Sequence, residues 1–178
     1  IQNLHSVVAR DINPLSPAAL SLCGLQGGDI DGFAIIPDEV RISGTARSLD
    51  ADTQDRIEHA VRRVCEGVAI AHGGDIEVDY QRIFPATVNS EAETRHVESC
   101  VVQTLGEAAL VRDVDPSLGG EDFSFMLQRC PGAYFFLGTA KDEATAPLHN
   151  ARYDFNDDII PTGCQLLLAI GLGALAAA

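Results

Sequence analysis

Two spacings of hydrophobic residues alternate along the first half of the chain. Residues 50–74 carry apolar side chains every three to four positions, at Ile57, Val61, Val64 and Val68, which predicts an amphipathic helix. Residues 18–25 and 75–84 alternate apolar with polar side chains and predict strands, and residues 33–47 predict a strand, a proline kink and a second strand. With an opening helix before them, these elements predict an antiparallel sheet with helices on one face.

The second half of the chain has the pattern of an α/β protein. Helices are predicted for about residues 91–105, for a short stretch ending at residue 128 and for the C-terminal residues; strands are predicted for residues 109–114 and 133–138. Residues 133–138 are so uniformly apolar that they predict a central strand covered on both faces. Residues 163–178 are also apolar, but they are fewer than the ~20 that cross a bilayer, so a buried helix is predicted.

Composition restricts the class of protein. The 178 residues are 46% hydrophobic and 21% charged, which is typical of a soluble globular protein. The net charge of −14 repels phosphate backbones and disfavours nucleic-acid binding. The five cysteines are far apart and odd in number, which favours reduced, mostly buried thiols and a cytoplasmic location. The chain starts inside a helical pattern without Met, so we expect it to be part of a longer protein.

The histidine in the stretch PLHNARYDF is the first candidate for chemistry. His149 follows the most apolar strand prediction, and ligands of open α/β sheets gather beyond the carboxyl ends of strands. It could be a general base or a metal ligand. The spacing alone favours a loop histidine bonded to Asp154 or to the backbone, because no second ligand stands at metal-binding spacing. The other four histidines are predicted to be surface residues.

The glycine turn SLGGEDF, residues 117–123, is the second candidate. Gly119 and Gly120 would let backbone N–H groups approach a ligand, whereas Glu121 and Asp122 fit helix capping equally well. Arg47, at the end of a predicted strand, is a solvated side chain by default and a carboxylate contact as the alternative.

Three segments together resemble one family: GFAIIPDEVRISGTARSLD, SLGGEDFSFMLQRCPGAYFFLG and PLHNARYDFNDDIIPTG. They are similar to the C-terminal half of the aminoacylase-type dinuclear metallohydrolases, nearest to the hippurate hydrolase and auxin-conjugate amidohydrolase group. The resemblance implies an α/β fold. It makes residues 1–84 a partial lid or dimerisation domain, in the α+β class, and residues 85–178 the C-terminal part of an α/β catalytic domain.

The resemblance also implies a site. His149 would be a ligand of two divalent metal ions, with zinc expected and manganese, cobalt or nickel as alternatives. Arg47, Gly119 and Gly120 would bind substrate, and Glu121 and Asp122 would brace their turn. The general base and the other ligands belong to the family's N-terminal segment. No catalytic residue is therefore expected in this chain, which we expect to be inactive on its own.

The implied activity is hydrolysis of the amide bond of N-acyl-amino acids such as hippurate, by a homodimer paired through the lid, with no nucleic-acid or membrane partner. Ala34 departs from the asparagine that relatives carry there, which puts substrate recognition in question. Two alternatives stay open. One is a non-catalytic dimerisation or binding module from a truncated or degenerate relative. The other is a carbamoyl-amino-acid hydrolase or dipeptidase of the same family.

Overall fold

The computed structural model describes residues 1–142 and 145–177, and it divides into two compact units. The first consists of residues 1–86 and 116–122. The second consists of residues 87–115 and of the chain from residue 123 onward. The sequence placed a single boundary after residue 84, whereas the structure returns residues 116–122 to the first unit. The assignment of these units to a lid and a catalytic domain stays a prediction.

Two antiparallel strands form the sheet of the first unit. Strand β1 (Ala18–Gly27) pairs with β2 (Val40–Ser48), from the Ala18–Ser48 pair to the Gly27–Val40 pair, with a bulge between Leu22 and Gly24. The predicted extra strand at residues 33–37 is wrong. Residues 29–35 close into consecutive turns instead, and Pro37 has no N–H to donate to a ladder.

Helices α1 (Gln2–Asp11) and α2 (Ala51–His72) complete the first unit. The Asp50 carboxylate caps α2 by accepting hydrogen bonds from the Thr53 N–H at 2.7 Å and the Thr53 hydroxyl at 2.8 Å, which lowers the pKa of Asp50. Gly73 ends the helix with a φ of 66°, a left-handed conformation that suits glycine. Both ends of this helix lie where the sequence predicted them.

The core of the first unit lies between these helices and the sheet. Ile12, Ile57 and Val61 are buried, and partly buried apolar residues from α1, both strands and α2 pack against them. Ile57 has no exposed surface. The predicted antiparallel sheet with helices packed against it is confirmed.

Residues 75–84 were predicted to be a strand, but among the described residues they form no ladder. Val78 packs against the core, and its carbonyl oxygen accepts a hydrogen bond of 3.1 Å from the Arg62 guanidinium. A cavity of about 640 Å³ lies in this unit, lined by residues of β2, of α2 and of residues 76–80. The alternating pattern was present in the sequence, but a strand also needs a neighbouring backbone to pair with.

An ionic cluster ties the end of this segment to α2. The Glu58 carboxylate accepts hydrogen bonds from Arg62 at 2.8 and 3.0 Å and from Arg82 at 2.7 and 2.9 Å. Arg82 also forms an ion pair of 2.6 Å with Asp55. Glu58 and Arg82 are 24 positions apart, so the cluster joins α2 to a segment outside the helix. Hydrophobic periodicity in the sequence gives no indication of such a contact.

In the second unit, helix α3 (Glu91–Leu105) packs against helix α5 (Ile160–Ala177), and a short helix α4 (Phe123–Leu127) lies between them in sequence. Cys100 and Val101 of α3 and Leu166 of α5 are buried. Short 3₁₀ turns occupy Glu107–Ala109 and Asp157–Ile159. The helix predicted for residues 91–105 is confirmed.

Neither strand predicted for the second unit forms in the described residues. Residues 109–114 begin in a 3₁₀ turn and continue without regular structure. In residues 133–138 the backbone of Tyr134 pairs with the Asn89 side chain, donating and accepting one hydrogen bond of 2.8 Å each, and Phe136 is exposed. A central strand requires flanking strands, and the described part of this unit supplies none.

The prediction of a buried C-terminal helix is also wrong for the described residues. Residues 157–176 have a mean hydropathy of 1.9, yet only 6% of the most apolar window is buried, because α3 covers one side alone. By length and composition this stretch could cross a membrane. A single such helix is weak evidence, since the core helices of soluble proteins pass the same test.

His96 and the cysteines correct two further expectations. His96 was predicted to lie on the surface, but it is half-buried, with Nε2 2.9 Å from the Ile170 carbonyl oxygen of α5. Of the cysteines predicted to be mostly buried, Cys100 is buried, whereas Cys23, Cys130 and Cys164 are exposed. His96 and Cys100 both contact backbone carbonyl oxygens of α5, so their burial depends on a helix that local sequence does not specify.

The ionic cluster predicts a pH-dependent contribution to stability. Hydrogen bonds from Arg62 and then from Arg82 hold the pKa of the Glu58 carboxyl below its ordinary value of 4.5. Because the folded-state pKa is the lower one, this stabilisation is present above about pH 4.5 and is lost as the pH falls through the folded-state pKa.

We expect Glu58→Gln to lower the free energy of unfolding at pH 7 and to have a smaller effect at pH 3, in urea denaturation followed by circular dichroism. Glu66→Gln, on the exposed side of α2, is the control. An equal effect of Glu58→Gln at both pH values would contradict the assignment.

The contact between α3 and α5 predicts that replacing two glycines of α5 by alanine has opposite effects on the stability of the protein. A Cβ at Gly173 would lie 2.8 Å from His96 Cε1, so Gly173→Ala must displace a ring that is hydrogen-bonded to α5. A Cβ at Gly171 would meet nothing within 4 Å. We expect Gly171→Ala to stabilise the protein by up to about 1 kcal/mol through helix propensity. We expect Gly173→Ala to destabilise it, in thermal unfolding experiments. Equal stabilisation by the two substitutions would show that the His96 contact is absent.

Candidate functional site

His149 lies in a loop, residues 139–154, whose described residues, 139–142 and 145–154, contain several tight turns. Backbone hydrogen bonds close it from Thr145 to Asp142 (3.2 Å), from Asn150 to Pro147 (3.2 Å) and from Tyr153 to Asn150 (2.9 Å). His149 adopts a φ of 66°, which is uncommon for a residue other than glycine. We call this segment the histidine loop.

The imidazole of His149 is exposed, and within residues 1–142 and 145–177 it makes no hydrogen bond or ion pair. The structure therefore does not support the interpretation of a loop histidine bonded to Asp154 or to the backbone. A neutral imidazole without a partner keeps a nitrogen lone pair available, which is the form in which histidine binds metals.

The described residues do not form a metal centre by themselves. No group of three or more His, Cys, Asp or Glu side chains in that part of the chain lies close enough to hold an ion. A catalytic zinc site commonly takes three protein ligands, so His149 alone does not fit a complete site. It fits the role of one ligand only.

The 117–122 turn and Arg47 meet in the first unit. The Arg47 guanidinium donates a hydrogen bond of 2.8 Å to the Leu118 carbonyl oxygen, across 71 positions of sequence. Within the turn, the Gly119 N–H donates to the Ser117 hydroxyl at 3.1 Å. A Cβ at Gly120 would lie 2.8 Å from the Phe84 ring, so this position has no room for a side chain. Glu121 is half-buried and Asp122 is exposed.

The structure thus joins two of the predicted groups within the first unit, and the third belongs to the second unit. Arg47 contacts the turn that carries Gly119, Gly120, Glu121 and Asp122, and His149 belongs to the second unit. The contact shows how Arg47 can act without touching a substrate, by fixing the backbone of the turn. Whether any of these residues binds a ligand stays a prediction.

The histidine loop also carries charged residues that the sequence interpretation did not single out. A cavity of about 630 Å³ is lined by described residues of this loop, with Lys141 and Arg152 as its cations and Asp142 and Asp154 as its carboxylates. We call this space the loop cavity.

Comparison with known proteins provides further evidence. The sequence profile of peptidase family M20/M25/M40 matches residues 10–172. Thermostable carboxypeptidase 2 of Saccharolobus solfataricus is 33% identical over 172 residues, which cover 94% of this chain and 42% of that protein. Hippurate hydrolase of Campylobacter jejuni is 29% identical over 169 residues, which cover 95% of this chain and 43% of that protein.

A solved structure agrees with the fold. The crystal structure of a putative aminohydrolase from methicillin resistant Staphylococcus aureus superimposes with a TM-score of 0.74 and 24% identity. It covers 98% of this chain, while this chain covers 43% of it. The chain therefore spans less than half the length of these proteins.

The contact between Arg47 and the 117–122 turn predicts a local change on substitution. We expect Arg47→Ala to accelerate hydrogen exchange and proteolysis in residues 116–122, because the Leu118 carbonyl loses its donor. Arg41→Ala is the matched control, since Arg41 lies on the same strand and pairs with Glu39 instead. Unchanged exchange in the turn of the Arg47 variant, measured by mass spectrometry, would mean that Arg47 does not brace it.

Proposed function

The chain belongs to peptidase family M20/M25/M40, and from this premise we propose that it forms the C-terminal part of a metal-dependent amidohydrolase that cleaves N-acyl-amino acids. Membership of this family agrees with the resemblance inferred from the three sequence segments. Members of the family are generally metal-dependent hydrolases.

The observation that carries the proposal is the extent of the family match. Residues 10–172 include both units, and with them Arg47, the 117–122 turn and the histidine loop. A relative named hippurate hydrolase, aligned over 95% of this chain, supports the N-acyl-amino acid class. The share of the relatives that the chain spans supports its being part of a longer enzyme.

In this proposal His149 supplies one imidazole to a centre of two divalent ions, zinc first, with manganese, cobalt or nickel as alternatives. The remaining ligands and the general base come from outside the 178 residues, because the described residues do not complete a site. The exposed ring in the histidine loop is suited to this role, since no described side chain occupies its nitrogens. When bound, such ions activate water and polarise the carbonyl group.

The 117–122 turn would hold the substrate through its backbone. Gly119 and Gly120 carry no side chain that would keep a ligand from this backbone, although the Gly119 N–H already donates to the Ser117 hydroxyl and the Phe84 ring occupies the space beside Gly120. Arg47 fixes this turn through Leu118, and in this proposal Glu121 and Asp122 would brace the turn. Arg47 would then contribute to binding of the substrate carboxylate indirectly, by holding the turn, and would not contact that carboxylate itself.

A second candidate is cleavage of peptides from the carboxyl end. The relative with 33% identity is named a carboxypeptidase, and its alignment covers 94% of this chain. The two activities differ in whether an acyl group or a peptide precedes the scissile bond. Kinetics with N-benzoylglycine and with unblocked dipeptides on the full-length protein separate them.

The proposal also covers the oligomeric state and the cellular location of the protein. The two-stranded sheet of the first unit has unpaired edges, and pairing of such an edge with a second copy gives a homodimer. The five free thiols suit a reducing cytoplasm. Small N-acyl-amino acids are the proposed partners, without nucleic acid.

The role of His149 is tested on the full-length protein. We expect His149→Ala to reduce hydrolysis of N-benzoylglycine by at least about a hundredfold and to lower bound metal, measured by benzoate release and by elemental mass spectrometry. His59→Ala, an exposed histidine of α2, is the control. Full activity and full metal content in the His149 variant would refute the assignment.

A further inference from the structure

The cavity of about 640 Å³ in the first unit has the lining of a gap between two strand edges. Its walls include consecutive residues of β2, 42–46, and consecutive residues of the segment after α2, 76–80. The face of a strand presents only every second residue to a cavity, as β1 does here with Leu20 and Leu22. Consecutive residues line a cavity where the edge of a backbone faces it. We call this space the slot.

Helix α2 forms the apolar floor of the slot. Val61, Val64, Cys65 and Val68 line it, at the three- and four-residue spacing of one helical face. Val61 is buried, whereas the other three are only half-buried in the described part of this unit. An occupant of the slot would therefore bury more of the α2 stripe.

The two backbones on either side of the slot rest on the same core but do not pair with each other. Val78 packs against the buried cluster that also contacts Leu20 and Ala46 of the sheet. Strand β2 pairs with β1 alone, and in the described part of the chain no backbone–backbone hydrogen bond involves residues 76–80. Because buried backbone groups are almost always paired in native proteins, the occupant must supply donors and acceptors on both of its sides.

An extended peptide strand meets these conditions. Neighbouring strands lie about 4.8 Å apart, and each strand carries donors and acceptors along both edges, so one strand can pair with two open edges at once. Five residues of such a strand extend about 17 Å, which matches the five residues on each wall. Its side chains on one face would lie on the apolar stripe of α2.

A second copy of this chain is poorly suited to fill the slot. Its strands β1 and β2 pair with each other, so each has at most one free edge, whereas the occupant needs two. Ile1, by contrast, lines the slot, and α1 begins at Gln2. A segment joined to residue 1 would therefore reach the slot without a connecting loop.

We propose that the segment of the full-length protein immediately before residue 1 inserts into the slot as a strand, pairing with β2 on one side and with residues 76–80 on the other. This inference rests on the proposed function only in taking the chain as part of a longer protein. The segment should alternate apolar and polar residues, with the apolar ones on α2. Its insertion leaves the outer edge of β1 as the described edge at which a second copy can pair.

Hydrogen exchange of the wild-type full-length protein tests the insertion directly. We expect the amides of residues 76–80 to exchange at least about a hundredfold more slowly than in an unstructured peptide. In residues 42–46 every amide should be protected, whereas pairing with β1 alone protects only those that face β1. Mass spectrometry with fragmentation resolves both segments. Exchange of residues 76–80 at the rate of an unstructured peptide would overturn the inference.

The concentration of the protein distinguishes the two sources of a strand. Protection by a segment of the same polypeptide is equal at high and at low protein concentration. Protection that disappears when the protein is diluted to the monomer, with its mass followed by native mass spectrometry, would assign the strand to a second copy and overturn the proposal.

A proline substitution provides a second test in the full-length protein. In an extended strand the N–H and C=O of neighbouring residues point to opposite edges. The Val78 carbonyl oxygen accepts from Arg62, which does not line the slot, so the Glu77 N–H is expected to face it. We expect Glu77→Pro to speed exchange in residues 76–80 at least about tenfold, because proline removes that donor. Glu77→Ala keeps the donor and is the control. Equal exchange in the two variants would contradict pairing at this edge.

Failure of this inference is distinguishable from failure of the proposed function. Neither exchange experiment depends on hydrolysis, so an open slot in a protein that releases benzoate from N-benzoylglycine refutes the insertion alone. A protected slot in a protein without this activity refutes the proposed function and leaves the insertion supported.

Discussion

The contact between the apolar stripe of α2 and the two-stranded sheet is the interaction on which the first unit depends. A two-stranded sheet is marginal in water and needs a packed face to persist. Ile57 and Val61 provide that face, together with Ile12. The same helix carries Glu58, which holds Arg82 at the end of residues 75–84. Strand β2 ends at Ser48, so its packing also positions Arg47 against the 117–122 turn.

The second unit positions its candidate residues differently. Its helices α3 and α5 meet through Cys100, Val101 and Leu166, and a tight approach at Gly173 brings His96 against α5. The histidine loop precedes α5 and is held mainly by its own turns. A site built on such a loop is easily altered by sequence changes that leave the helices intact. Differences in substrate among relatives therefore need not involve the fold.

Features that depend on residues close together in the sequence were predicted correctly, whereas features that depend on residues far along the chain were not. The cap at Asp50, the stop at Gly73 and the stripe of α2 follow from residues within a few positions of each other. Residues 75–84 and 133–138 have the composition of strands, but a ladder also needs a partner backbone that the described residues do not offer. His96 looked like a surface residue because the helix that covers it is 74 positions away. For the site, the turn and His149 were recognisable as motifs, whereas the hydrogen bond from Arg47 to Leu118 joins residues 71 positions apart and could not be predicted from local sequence.

Electrostatics constrains how the proposed substrate could be held. The chain carries a net charge of −14, so its overall field repels a carboxylate. Binding of an N-acyl-amino acid would therefore need local donors that neighbouring carboxylates do not already neutralise. Most arginines of the chain do not meet this condition, because they form ion pairs with neighbouring carboxylates. The cations of the loop cavity, Lys141 and Arg152, share that space with Asp142 and Asp154, so the cavity has no excess of positive charge. Backbone N–H groups donate without carrying a charge that a carboxylate side chain could neutralise, which favours the 117–122 turn, held by Arg47 through Leu118, as the part of the chain that would contact the substrate.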